Sequence, residues 1–150
     1  MRKQYENNNY DCCYTYRGPG NFVCAPKVEM DEVITIIRSS CKATPDNLYV
    51  FNEEEIAKAG VIAYQYLEGL RTESIGALEY SKIRYDPGDP ERECYGTELN
   101  IDSKNIIVFR ADLNVIHEWD GFGANKYDDW SIIITRKDKD SNWEFKDAGY

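Results

Sequence analysis

Hydrophobic and polar positions alternate most regularly in the last third of the chain, and this alternation predicts three consecutive β-strands. From Ile107 to Val115 every second residue is apolar, and Arg110, Asp112 and Asn114 fall between the apolar positions. A step of two places the apolar side chains on one face of a strand and the polar ones on the other. The predicted strands are Asn105–His117, Asp129–Lys137 and Asn142–Gly149.

The links between these strands differ in length and in expected role. Asp138–Ser141 is short and polar, which is typical of a hairpin between the second and third strands. Glu118–Asp128 is longer and contains Gly121 and Gly123. Long loops in compact domains often carry function, so this loop is a candidate functional element.

The clearest helical pattern runs from Asn52 to Leu70. Asn52 is a favourable N-cap residue, and Glu55 three residues later completes a capping box. An apolar stripe follows the helical period and includes small residues that favour close packing on a sheet. Its members are Ile56, Ala59, Gly60, Ala63, Tyr66, Leu67 and Leu70.

Two further stretches suggest secondary structure. Val28–Cys41 has apolar residues at helical spacing but also a β-branched run that suits a strand, and we favour a helix ending near Ser40. Leu78–Tyr85 is a predicted strand whose apolar phase slips, which indicates a bulge near Ser81-Lys82.

The remaining stretches show no regular period. Residues 1–27 predict an irregular arm, with a turn at Gly18–Gly20, and Glu91–Ser103 predicts a polar connection. The order of elements therefore predicts an α+β domain over residues 28–150. In it an amphipathic helix packs on a mostly antiparallel sheet of about four strands, with the helices on one face.

Composition narrows the possible functions. A net charge of −9 disfavours a nucleic-acid-binding protein, because phosphate contacts need clustered Lys and Arg, whereas it suits a basic partner. No stretch has the apolar length of a membrane-spanning helix, and Met1–Asn9 is not followed by a signal-peptide core. We expect a cytoplasmic protein, or an exported one if the chain is part of a longer protein.

The five cysteines lack zinc-site spacing and leave two possibilities open. Either the thiols are reduced, or one or two disulfides join Cys12 or Cys13 to Cys24 or Cys41. The fifth cysteine is Cys94.

Residues 52–150 run through the Asn52 helix, the strand at Ser81–Asp86, the strand at Asn105–Asp112 and a glycine-bearing loop. The chain then continues with Trp130-x-x-Ile133-Ile134-x-Arg136 and Trp143 through Gly149-Tyr150. This order of pieces resembles a small uncharacterised domain of Gram-positive bacteria, often found in exported or membrane-tethered proteins. It is also distantly similar to nuclear-transport-factor-2-like and cystatin-like shapes. The resemblance implies an α+β fold and carries no activity, cofactor or catalytic residue.

Two groups of residues are candidates for function. The densest aromatic group brackets the long loop and consists of Trp119, Phe122, Tyr127 and Trp130. These side chains either form a patch that binds a ligand or a partner, or they cover the end of the sheet. His117 is the single histidine and lies near carboxylates that would orient a general base, or it simply faces solvent.

Outside these two groups, the sequence contains only weak indications of a metal or catalytic site. Asp120, Asp128 and Asp129 leave a weak calcium site open, but no metal site, cofactor or catalytic set is predicted. We expect a non-catalytic domain that binds an unknown protein or small molecule. The alternatives are an acidic immunity or inhibitor protein that binds a basic partner, and a small isomerase- or hydrolase-like enzyme that uses His117.

Overall fold

The computed structural model describes residues 33–36 and 51–150, which form two α-helices and one mixed, mostly antiparallel sheet. The elements are β1 (Ile34–Ile36), α1 (Glu53–Glu73), β2 (Leu78–Tyr80), β3 (Ile83–Tyr85), α2 (Glu91–Leu99), a 3₁₀ turn (Ser103–Asn105), β4 (Ile106–Val115), β5 (Lys126–Thr135) and β6 (Glu144–Gly149). The α+β class predicted from the sequence is confirmed.

The sheet is built around β4, a ten-residue inner strand that pairs with β2, β3 and β5. Its order is β1-β3-β4-β5-β6, and β2 also pairs with β4 beyond the end of β3. All pairs are antiparallel except β1 with β3. The predicted three-strand meander is therefore present as β4, β5 and β6, and the described sheet has six strands rather than about four.

The sequence predicts one strand over Leu78–Tyr85 with a bulge near Ser81-Lys82, and the structure has two short strands that are separated there, with registers on β4 that differ by one residue. β2 pairs with Leu113–Val115, and β3 pairs with Phe109 and Arg110. Ser81 and Lys82 therefore separate two short strands on the same edge of β4. The Ser81 hydroxyl accepts the Asp112 N–H at 2.8 Å, and the Ser81 N–H donates to the Asp112 carbonyl at 2.9 Å. These bonds join the two strands where regular pairing stops.

Helix α1 begins as the sequence predicts. The Asn52 side chain accepts the Glu55 N–H at 2.8 Å, and the Glu55 carboxylate accepts the Asn52 N–H at 3.1 Å, which completes the capping box. The helix then lays its small and apolar residues on one face of the sheet. The buried residues are Ile56, Ala59, Gly60, Ala63 and Leu67 of the helix, with Ile107, Phe109, Ala111, Leu113 and Val115 of β4 beneath them.

The other face of the sheet is covered at one end by α2, which the sequence did not predict. Ile106, Val108 and Ile133 form a second small core there, with Tyr95 and Ile101 packed against it. The helix has no apolar stripe, which is why the pattern suggested a polar connection. Its first turn is held by the Asp89 carboxylate, which accepts the Glu91 N–H at 3.0 Å. The two helices thus lie on opposite faces, and the expectation of helices on one face is wrong.

The prediction of a helix over residues 28–41 is wrong at Ile34–Ile36. Ile34–Ile36 pair in parallel with Ile83–Tyr85 as an edge strand instead of forming a helix. β-branched side chains lose rotamer freedom in a helix, and the free edge of β3 offers hydrogen bonds that a helix at this place would leave unmade. The predicted arm over residues 1–27, with Cys12, Cys13 and Cys24, lies outside the described residues, as does Cys41.

A buried ion pair joins α1 to the far end of the sheet. Arg136, at the end of β5, donates to Glu55 at 2.8 Å, to the Asn105 side chain at 3.1 Å and to the Lys104 carbonyl at 3.1 Å. Its guanidinium carbon lies 4.4 Å from the centre of the Trp143 ring. Burial of the Glu55 carboxylate opposes its ionisation, but the Asn52 N–H and Arg136 outweigh burial and hold its pKa below the usual range.

Candidate functional site

The long loop between β4 and β5 contains a hairpin of its own. The Trp119 N–H donates to the Phe122 carbonyl at 3.0 Å, and the Phe122 N–H returns a bond to the Trp119 carbonyl at 2.8 Å. Asp120 and Gly121 turn the chain with φ angles of +43° and +83°. Positive φ at both central residues of an Asp-Gly pair is the signature of a type I′ turn, so the tip has a defined shape.

The hairpin holds two rings side by side and joins them to a larger group. The Trp119 and Phe122 rings stack with centroids 6.1 Å apart and planes tilted by 10°. Phe122 contacts Tyr127 at 5.9 Å and Trp130 at 5.4 Å, and Tyr150 contacts both of these at 6.0 and 5.5 Å. We call this continuous group the aromatic surface: Trp119, Phe122, Tyr127, Trp130 and Tyr150.

A bulge in β5 puts Tyr127 and Trp130 on the same face of the sheet. Trp130 pairs with Ala111 and Tyr127 with Leu113, so three steps along β5 match two steps along β4. Without the extra residue the two rings would point to opposite faces, since side chains alternate along a strand. The φ of Asp129 is +57°, which marks the bulge.

A charge network on the opposite face holds this bulge in place. Asp129 donates its N–H to the Asp112 carboxylate at 3.0 Å, and its carbonyl accepts from Arg110 at 3.1 Å. Arg84 forms two bonds to Asp112, at 2.9 and 2.7 Å, and one to the Asp129 carboxylate at 2.7 Å. The Arg84 guanidinium and the Asp129 N–H hold the pKa of Asp112 below its usual range.

The second arginine of this face is neutralised locally as well. Arg84 and Arg110 are direct cross-strand partners, an arrangement that like charges disfavour. Arg110 pairs with Asp89 at 2.9 Å and with Glu91 at 3.0 Å, and Glu91 also accepts the Ser131 hydroxyl at 2.8 Å. Both Arg84 and Arg110 are therefore paired with carboxylates, and the network of charges stabilises the loop.

The aromatic surface is partly buried and partly open. Trp119, Phe122, Tyr127 and Trp130 pack against the edge of the main core and keep part of their area exposed. Tyr150 is 73% exposed. The rings therefore cover the end of the sheet, as one interpretation of the sequence held, and also present a preformed apolar surface to solvent.

The structure brings together three of the four predicted site residues. Trp119, Phe122 and Tyr127 are in mutual contact through Phe122, whereas His117 is exposed, and no hydrogen bond or ion pair reaches it within the described residues. Sequence reasoning missed Tyr150, because its place depends on the register of β6. Asp120-Gly121 between two aromatic residues was the signal that could have predicted the hairpin.

Two shallow grooves lie elsewhere on the domain. One, of about 460 Å³, runs between α1 and β2 and is lined by Tyr64, Glu68, Arg71 and Tyr80 among others. The other, of about 480 Å³, lies beside Arg136 and Glu144. Neither includes His117 or a residue of the aromatic surface.

The described part of the chain contains neither a group of potential metal ligands nor a helix able to span a membrane. Over residues 33–36 and 51–150, no three His, Cys, Asp or Glu side chains are placed to hold a metal ion, and the Asp129 carboxylate pairs with Arg84 at 2.7 Å. Neither helix in these ranges combines the length and apolar character needed to cross a bilayer.

Comparisons with protein-family models, with characterised proteins and with solved structures each returned no match for this chain. The resemblance to a small bacterial domain therefore stays a prediction.

Proposed function

We propose that this chain is a non-catalytic binding domain that docks on a protein partner through the aromatic surface. The observation that carries the proposal is the preformed hairpin, which fixes the Trp119 and Phe122 rings in one stacked arrangement. Tyr127 and Trp130 connect this pair to the exposed Tyr150. A surface that is already ordered loses little conformational entropy on binding. Aromatic side chains are enriched among residues that dominate binding energy at protein interfaces.

The alternative of an enzyme that uses His117 has less support. A general base must lie within hydrogen-bond reach of the proton that it removes, and it is usually oriented by a second group. His117 is exposed, and within the described residues neither groove contains it. The alternative of an acidic inhibitor draws on the same surface as the leading proposal, because acidic residues flank its rings.

Affinity capture from cells that carry the gene tests the proposal. Trp119→Ala combined with Phe122→Ala removes the stacked pair, and Tyr64→Ala is the matched control because this partly buried tyrosine lines the groove beside α1. We expect at least one protein to be captured by the parent chain and by the control, and to be lost from the double variant. An identical set of captured proteins for all three chains would overturn the proposal.

The variant Tyr150→Ala distinguishes a loss of binding from a loss of folded structure. Trp119 and Phe122 pack on the core edge, so their removal also costs stability. Tyr150 is 73% exposed, and its truncation leaves the core intact. We expect weaker capture of the same protein by this variant, with a melting curve close to that of the parent chain.

A further inference from the structure

Exposed carboxylates accompany the rings of the aromatic surface along the chain. Glu118, Asp120 and Asp128 are exposed, and none of them forms an ion pair with another described residue. Lys126 is the only Lys or Arg between residues 116 and 130. Asp120 sits in the turn between the two stacked rings, and Asp128 follows Tyr127 directly, so carboxylates and aromatic residues alternate along the chain here.

Tyr150 lies close enough to the carboxylates of this surface to feel their charge. Loss of solvent around its phenol is the first cause that raises the pKa of Tyr150, and the charges of Asp128 and Asp129 raise it further. That second contribution has the sign of a negative potential at the phenol. The same potential attracts a cation that approaches the rings.

The rings favour the same sign of charge. The face of an aromatic ring is negative, and it attracts a guanidinium or ammonium group within about 6 Å of its centre. Phosphates are repelled by the neighbouring carboxylates. A second copy of this chain would bring further negative charge, since each copy carries −9.

The fold already contains this kind of recognition at its other end. The Arg136 guanidinium carbon lies 4.4 Å from the centre of the Trp143 ring, and the same guanidinium donates to Glu55 at 2.8 Å. There a guanidinium is held by an aromatic face and a carboxylate together. Trp119 and Phe122 with Asp120 present the same chemical groups to solvent.

We propose that the partner is a protein that inserts an arginine or lysine side chain of a basic segment against the rings of the aromatic surface, with Asp120 and Asp128 as its counter-charges. The inference rests on the proposed docking function and names the chemistry of the partner. An acidic inhibitor, the alternative that net charge predicts for this chain, would bind its basic target in this way.

Binding of a fluorescein-labelled arginine-glycine-serine repeat peptide, followed by fluorescence anisotropy, tests the inference. The comparison peptide carries citrulline, a neutral analogue of similar shape, in place of arginine. We expect the arginine peptide to bind at least about 5-fold more tightly than the citrulline peptide at about 20 mM salt. The difference should shrink at about 500 mM salt, where screening acts over roughly 4 Å.

Charge variants with equal net charge separate local recognition from general attraction. Asp120→Asn with Asp128→Asn removes two carboxylates from the aromatic surface, and Asn suits the positive φ of position 120. Glu98→Gln with Glu144→Gln removes two exposed carboxylates elsewhere. Both double variants keep the same net charge, two units less negative than −9. We expect about 3- to 10-fold weaker peptide binding for the first variant and less than about 2-fold for the second.

The outcomes distinguish the inference from the docking proposal. Equal binding of the two peptides, no binding of either, or equal losses in the two double variants would overturn the inference. If capture from cells still depends on Trp119 and Phe122 in that case, the docking function stands and the partner is not recognised through a cation. If capture does not depend on these rings, the docking proposal fails, and the inference that rests on it fails with it.

Discussion

Trp119 and Phe122 exchange two backbone hydrogen bonds, 3.0 and 2.8 Å long, and stack their rings across the Asp120-Gly121 turn. This pair turns the long connection between β4 and β5 into a shaped element. The bulge at Asp129 adds Tyr127 and Trp130 to the same face, and the charge network around Asp112 and Arg84 fixes the bulge. The surface therefore depends on backbone geometry at the turn and at the bulge.

Gly121→Ala should loosen the hairpin without touching the core. The φ of Gly121 is +83°, and an added Cβ would meet no heavy atom within 4 Å, so the cost is conformational. We expect a cost of about 1 kcal/mol, seen as roughly 5-fold faster hydrogen exchange at the Trp119 and Phe122 amides. Gly123→Ala is the control, because its added Cβ meets the Tyr127 hydroxyl at an ordinary 3.6 Å. Equal exchange rates in both variants would contradict the turn assignment.

Ile75→Gly should stabilise the protein. Ile75 follows α1 with a φ of +52° and is 92% exposed, so a β-branched residue occupies a left-handed position with almost no packing in return. We expect the free energy of unfolding to rise by about 1 kcal/mol, measured by chemical denaturation. Ile75→Ala keeps the left-handed strain and should change stability by less than about 0.5 kcal/mol. A loss of stability in the glycine variant would show that Ile75 makes a contact worth more than its strain.

Arg136→Met should be among the most damaging single changes in the described chain. The side chain is buried and bonds to Glu55, Asn105 and Lys104, so its loss leaves a carboxylate and two further acceptors without this donor. Breaking a buried pair on one side costs about 3–5 kcal/mol. Lys58→Met removes one member of the exposed Lys58–Glu54 pair and should cost less than about 1 kcal/mol. Similar denaturation midpoints for the two variants would refute the assigned role of Arg136.

The stability of the domain should fall in acid partly through Glu55. Its folded-state pKa lies below the ordinary 4.5, so its ionised form stabilises the fold above that pH, and this contribution is lost as the pH falls through the folded-state pKa. Glu55→Gln removes this contribution. We expect its unfolding free energy to depend less steeply on pH between about 5 and about 2 than that of Glu98→Gln, an exposed control on α2. Parallel curves for the two variants would count against the assignment.

Periodicity in the sequence predicted the elements with strong patterns and failed where the pattern was weak. The α1 capping box and the alternating face of β4 follow from local preferences that need no distant partner. Helix α2 lacks an apolar stripe, and β1 is a short β-branched run whose state depends on the free edge of β3. Both are decided by tertiary contacts, which a single sequence does not display.

The candidate site was predictable in composition but not in geometry. Aromatic residues around a glycine-bearing loop were visible, and the Asp120-Gly121 turn was available as a signal. The inclusion of Tyr150 depends on strand register, and the joint facing of Tyr127 and Trp130 depends on an inserted bulge residue. Neither feature follows from the alternation of residues along the sequence, because one extra residue in a strand moves every later side chain to the opposite face of the sheet.

Site-specific cross-linking in cells tests the docking claim most directly. A photo-reactive phenylalanine analogue replaces Phe122 in one chain and Tyr64 in another, and the adducts are identified by mass spectrometry. A discrete protein adduct formed from position 122 and absent from position 64 is the predicted result. Adducts from position 64 alone, or none from position 122, would contradict the assignment of the aromatic surface as the docking site.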